Sequence, residues 1–323
     1  MPLDKINFVY HSPKCLGAGY LGSEGLRQAL EKNDLLNYAF NQTGGLFLDI
    51  NKYQESPILI TRGFLYGRMP LVARAGNQFK AAWQSESFYT RHGEKDSSTD
   101  AAVHHQNHFN MYFTCAETDL DMYDIPTYWL PSWSDTSVFE DVSAPVIRDK
   151  LGFFGGRKGR EDFLTDDLDM IECFRTSLAG SDSTDVTIEL CNAINKYEML
   201  VAPPGRCFNG MCGRAFEIMA CGRMCFQYLN EDTMFKHMEF FQDGRDIVYF
   251  RDKEELKRKW EYYLDKPALR RTIAASGYDK VIKHHNESTT AKYIVDCMTI
   301  EHEKWLKEQA NINDTMNEVY DSL

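Results

Sequence analysis

At 323 residues, with 43% apolar and 13% aromatic side chains, the chain is long enough to bury a substantial core and to form two domains of ordinary size. Its 36 lysines and arginines against 48 aspartates and glutamates leave a formal charge of −12, and no lysine/arginine run resembles a nucleic-acid footprint, which argues against a protein held on nucleic acid by its overall charge. Nine scattered cysteines without a CxxC pair, no charged-then-apolar leader and no uninterrupted apolar stretch of about 18 residues argue against a disulfide framework, a zinc site and a membrane span; a cytoplasmic protein is expected.

In chain order, Ile6 to Tyr10 is the first strand-like run. The loop SPKCLGAGYLGS follows, and then a helix in which Leu26, Ala29 and Leu30 share one face. Further strands are expected at 57–61, 70–76, 110–116 and 125–131, while the polar, aperiodic 93–100 reads as a loop. The polar, proline-containing stretch 134–149 is the expected boundary between two series of elements. The second series has strand-like runs at 151–156, 185–191, 199–205, 223–229 and 246–252, and a clear helix at 254–264 with Leu256, Trp260 and Leu264 on one side. Short apolar runs alternating with helical stretches are the pattern of parallel-sheet α/β domains. The last residues read as a helix of roughly 30 residues, long enough to pack back across the first domain. The expected division is 1–141, 142–300 and a helical tail at 301–323.

Ligands of such sheets bind outside the carboxyl ends of the strands. Between the runs 199–205 and 223–229 stands NGMCGRAFEIMACGR, where Asn209, Gly213, Arg214 and Glu217 follow a strand and precede or open a helix. A helix N-terminus suits a phosphate, glycine lets the backbone approach it, Arg214 adds a cation, and Glu217 has the acceptors to hold a pair of sugar hydroxyls. An equally simple reading is that Glu217 complements the helix dipole and pairs with Arg214.

The runs GRAFEIMACGRMCFQYL, FFQDGRDIVYFRDKEELKRKW and IAASGYDKVIKHHNES resemble the donor-binding half of the group 1 glycosyltransferases, most of all the branch that includes the spore maturation protein CgeB. The likeness spans roughly residues 110 to 295 in continuous order. It implies the GT-B fold, with two Rossmann-like domains whose parallel sheets face a central cleft and a C-terminal helix packing back on the first domain. It also implies a nucleoside-diphosphate sugar as donor substrate, an acceptor hydroxyl, and no further cofactor or metal. Glu217 takes the place of the glutamate that holds the nucleotide ribose in that family, and Arg214 that of an arginine at the diphosphate. Many members carry a second glutamate where this chain has Asn209, an uncharged side chain. Retention of anomeric configuration is favoured by the likeness but left open by that departure.

Two glycine-containing loops are further candidates. FFGGRKGRED, with Gly156, Arg157 and Lys158, offers cations to the donor pyrophosphate; it is no Walker A loop, since no GK[ST] follows. KCLGAGYLG resembles the loop that faces the donor in GT-B enzymes, through Gly17 and Gly19. With Gly22 it also fits GxGxxG, and a nicotinamide-dependent dehydrogenase is the alternative reading. That reading needs an acid at the end of the second strand, and none stands near Asn41 to Gly45. For a catalytic base the candidates are Glu86 and His92, with His104, His105 and His108 behind them. A catalytically silent protein that keeps the fold and uses the cleft for binding is the competing class.

Overall fold

The computed structural model describes residues 5–11, 18–42, 56–61, 78–84, 108–155, 163, 169–174, 183–203 and 211–321. Two parallel sheets organise them. The first holds β1 (Ile6–His11), β2 (Leu36–Gln42), β3 (Ile58–Thr61), β4 (Lys80–Gln84), β5 (Met111–Thr114) and β6 (Thr127–Trp129), in the order β2-β1-β3-β4-β5-β6. The second holds β7 (Ile147–Phe154), β8 (Ile171–Phe174), β9 (Tyr197–Ala202), β10 (Met224–Tyr228) and β11 (Val248–Phe250), in the order β11-β10-β9-β7-β8. Every neighbouring pair is parallel. Parallel strands are joined by crossovers that cover both faces, so their sequences are apolar without alternation. In β9 all of YEMLVA is buried: Leu200 and Ala202 enter one apolar cluster, and Met199 and Val201 the opposite one.

The helices are α1 (Ala18–Lys32), α2 (Ser183–Asn195), α3 (Gly213–Ala220), α4 (Phe235–Phe240), α5 (Lys253–Leu264), α6 (Pro267–His284) and α7 (Glu287–Asp321). The segment 185–191, read as a strand, lies inside α2. Val186, Thr187 and Ile188 favour strands intrinsically, but Leu190, Cys191 and Ile194 are buried while Ile188, Glu189 and Asn192 face outwards, a helical face. Strands β2, β4 and β8 are additional to those the sequence predicts, and the run at 70–76 lies outside the described residues.

The chain passes between the two sheets twice. On the way out, Val138 and Phe139 already pack into the second domain's core. Arg223, anchored through Asn195 Oδ1 at 2.6 Å and Asp141 Oδ1 at 2.7 Å, and Asn195, which donates to the Glu140 carbonyl at 2.9 Å, hold residues 140–143 there. On the way back, α7 begins at Glu287, so the tail expected at 301–323 is the distal part of a longer helix. Its 35 residues make a rod about 52 Å long. Ala291, Ile294, Val295 and Met298, spaced for one helical face, enter the first domain's core beside Leu26, Ala29 and Leu30 of α1. Tyr128 Oη donates to Glu301 Oε1 at 2.7 Å and fastens the helix further along.

Candidate functional site

The chain order reverses between β1 and β3 in the first sheet and between β7 and β9 in the second, the positions where sheets of this kind receive ligands. Strand β9 runs into the segment that leads to α3, and α3 returns the chain to β10, which pairs with β9 in parallel. The N-terminus of α3 therefore lies toward the carboxyl ends of β9 and β10. Its N-cap, Cys212, is extended, with φ −75° and ψ 155°, and makes no side-chain capping hydrogen bond; the first turn holds no acid. Apart from its chain neighbours and its own helix backbone, no described atom lies within 4 Å of the place a Cβ on Gly213 would take.

Residues Ala215 to Ala220 of α3 are all buried, Glu217 among them. Arg214 Nη1 and Glu217 Oε2 approach to 2.5 Å across one helical turn, both side chains mostly shielded from water. Neither atom nevertheless has a hydrogen bond of proper direction, although both are buried. Charge contact without alignment leaves acceptor and donor capacity in an environment where unmet capacity is costly. Burial raises the Glu217 pKa, and Arg214 offsets that only in part. Phe216, the preceding residue, sends its ring the other way, onto Phe241 and His285, with centroids 5.8 and 5.2 Å distant. Behind α3 stands α6: a methyl group built on Gly277 would lie 2.5 Å from the Asp246 carbonyl oxygen and 3.0 Å from Met219 Sδ. Only glycine allows that approach.

Of the residues singled out in the sequence, the structure brings Gly213, Arg214 and Glu217 together on one short helix. Gly19 lies in the first turn of α1. Gly17, Glu86, His92, Gly156, Arg157, Lys158 and Asn209 lie outside the described residues. Strand β2 closes on Asn41 and Gln42, so the acid that a dinucleotide's ribose requires at that strand end is replaced by amides. His285, at the end of α6, is buried among Phe216, Phe240 and Phe241, and burial pushes its pKa down to about 3. Among the described residues, no group of three or more His, Cys, Asp or Glu side chains is arranged to hold a metal ion, and no helix is long and apolar enough to cross a membrane.

Sequence reasoning passed over one further cluster. Glu117, in the 3₁₀ turn that follows β5, reaches the N-terminus of α4 in the other domain, where Trp129 from the end of β6 stands edge-on to His237. Neither carries a local signal, because the contact joins residues 120 positions apart.

This architecture superposes on solved structures over most of the chain. A sucrose-phosphate synthase from Thermosynechococcus elongatus superposes with a TM-score of 0.64 over 91% of this chain and 98% of that one, at 11% identity. The chain has the GT-B fold. Anabaena HepE, solved with UDP-glucose, is a second GT-B relative in shape, with a TM-score of 0.61 at 13% identity, covering 91% and 99% of the two chains. A glycosyltransferase from Rickettsia africae gives 0.58 at 11% identity over 92% and 98%. Residues 184–296, which contain α3 with Arg214 and Glu217, match a family model described as glycosyl transferase-like. No curated protein matches the chain by sequence.

Proposed function

We propose that this chain is a glycosyltransferase that moves a sugar from a nucleoside-diphosphate sugar to an acceptor hydroxyl, of the group 1 type and nearest to the CgeB-like branch. The observation that carries the reading is the buried Arg214 and Glu217 pair on α3, whose hydrogen-bonding capacity is unmet although its charges touch. In this reading Glu217 accepts hydrogen bonds from the two ribose hydroxyls, as a carboxylate with two oxygens does. Arg214 turns toward the diphosphate, which also faces the backbone N–H groups at the start of α3. Asn209 hydrogen-bonds the donor sugar, and Gly156, Arg157 and Lys158 add charge at the pyrophosphate, with Gly17 and Gly19 facing it from the first domain. Positive groups fixed in advance at the leaving nucleoside diphosphate stabilise the charge that develops as the glycosidic bond breaks, and they remove the need for a divalent cation. Glu86 or His92 takes the acceptor proton.

Support comes from the match of residues 184–296 to a glycosyl transferase-like model, and from the UDP-glucose complex of HepE, a protein of similar shape. Titration calorimetry with UDP, GDP, ADP and their glucose conjugates, followed by donor-hydrolysis assays with and without EDTA, tests it. Binding of at least one nucleoside diphosphate, and turnover that survives chelation, are expected. A protein that binds none of them is not a nucleotide-sugar enzyme, and turnover restored only by Mn²⁺ or Mg²⁺ removes the metal-independent mechanism.

A further inference from the structure

The second domain's core holds two thiols in contact that the proposed sugar transfer does not use. Cys191 lies on the buried face of α2, and Cys221 is the residue at which α3 ends. Their sulfurs are 3.9 Å apart, and both side chains are buried. A second tie between the same elements keeps them opposed. Arg223, two residues beyond Cys221, donates to Asn195 Oδ1 at 2.6 Å, and Asn195, one turn beyond Cys191, donates to the Cys191 sulfur at 3.4 Å.

The two sulfurs are not equivalent. The Cys191 thiol has the Glu140 carbonyl as its acceptor at 3.7 Å, which leaves Cys221 as the donor between the two thiols. That hydrogen bond favours the Cys191 thiolate and brings its pKa down to about 6, against the upward push of burial, while Cys221 holds its proton more tightly. A thiolate beside a protonated thiol is the arrangement from which disulfides form.

We propose that Cys191 and Cys221 are a redox modification site, joined into a disulfide by hydrogen peroxide and parted again by a dithiol reductant. The Cys191 thiolate attacks one peroxide oxygen and the O–O bond breaks. Two electrons pass from sulfur to peroxide, Cys191 becomes a sulfenic acid, and the hydroxide that leaves takes up the proton the Cys191 thiol released. The Cys221 sulfur then attacks the Cys191 sulfur. An S–S bond replaces the S–O bond, and the Cys221 proton departs with the hydroxyl group as a second water. Peroxide is little larger than water, and α2 is an outer helix with Ile188, Glu189 and Asn192 exposed, so local opening of that helix admits it.

Cys221 is joined to Glu217 through the backbone. Its N–H donates to the Glu217 carbonyl at 3.1 Å, and the two side chains lie one turn apart on the same face of the helix. A disulfide bond is about 2 Å long, so closing it draws the sulfurs together by about as much again. That movement falls on α2 and on the last turn of α3, which holds Glu217. The oxidised protein therefore holds a nucleotide less well than the reduced one. This consequence rests on the glycosyltransferase reading; the disulfide does not.

Peptide mapping of the whole chain tests the site. The folded protein is treated with hydrogen peroxide, unfolded, alkylated and cut with trypsin; peptides 176–196 and 215–223 carry one cysteine each, Cys191 and Cys221. The expected product is these two peptides cross-linked and two hydrogens lighter than their sum. It should be absent in Cys191→Ser and in Cys221→Ser, and dithiothreitol should return it to separate peptides. Recovery of both cysteines alkylated overturns the site, as does Cys191 carried on to a sulfinic acid or paired with a different cysteine, and the wild type alone decides this. UDP affinity, read by calorimetry, should fall about tenfold on oxidation and recover with dithiothreitol, the change expected for one lost hydrogen bond. Equal affinity in the cross-linked protein, or an equal fall in peroxide-treated Cys191→Ser, overturns the coupling to Glu217. Failure of the reduced protein to bind any nucleoside diphosphate sinks the enzymatic reading instead, and the cross-link still decides the redox site.

Discussion

Two buried glutamates of this molecule have opposite fates. Glu117 meets a backbone N–H on each oxygen and an imidazole besides, all contributed by the other domain. Glu217 meets one guanidinium in its own helix, close in distance and wrong in direction. A carboxylate with both oxygens hydrogen-bonded holds structure together, and a carboxylate kept dry with acceptors to spare has capacity for a ligand. Burial alone does not separate the two roles; the count and direction of donors does.

The largest expected effect follows from removing the satisfied member. Glu117→Ala strands three donors in a dry contact and should cost about 3–5 kcal/mol of stability, read from urea unfolding. A loss below about 1 kcal/mol would put Glu117 in the same class as a surface ion pair. Removing the unsatisfied member should do the reverse. Glu217→Ala is expected to leave urea unfolding nearly unchanged and to weaken nucleotide binding by about 1.5–3 kcal/mol for a bond to a charged acceptor, measured by calorimetry. Equal nucleotide affinity in the folded variant would erase the distinction.

The comparison sharpens with pH. Burial holds the Glu217 proton more tightly in the folded protein than in the unfolded chain. The folded state then binds the extra proton, and stability without nucleotide falls as pH rises from the ordinary carboxylate value through the raised folded one. Glu217→Gln lacks this slope, so the difference in urea midpoint between about pH 5 and about pH 7 should be smaller in the variant than in the wild type. Identical pH dependence would mean that Glu217 titrates alike folded and unfolded. The smallest effect belongs to the rim of the Glu117 contact: Lys236→Ala keeps the backbone N–H that Glu117 accepts and loses only the cation near Trp129, at about 0.5–1 kcal/mol. A larger loss would mean that the side chain, not the backbone, carries the contact.

The sequence made one of these glutamates visible and not the other, for a reason of distance along the chain. Arg214 and Glu217 stand in one short run between two apolar strands, so spacing alone groups them. Glu117 lies in an unremarkable ETD turn, and its partners follow far later, in a helix too short to show a period. The same contrast explains the strands. Fully buried β9 and β11, and β10, buried in all but Tyr228, announce themselves as apolar runs. Strand β2 stands at the sheet edge with Tyr38 exposed and reads LNYAFNQ, and β4, KAAWQ, depends on two alanines that favour strands weakly. In α2 the opposite error arose, where β-branched residues on a partly exposed helix imitated a strand. Local composition identified what is buried on all sides and faltered where tertiary contacts decide.

The absent side chain of Gly277 bears on how Glu217 came to be held as it is. Any β-carbon there would strike the Asp246 carbonyl, which belongs to the backbone and cannot swing aside, and would press on Met219 in α3. It would act as a shim under α3, shifting Arg214 and Glu217 without touching either. In the proposed glycosyltransferase reading, the depth at which a donor would be held is thus set from behind, by a residue that never meets it, and a change of one methyl group in that hidden layer is a way to retune the hold while Arg214 and Glu217 stay the same.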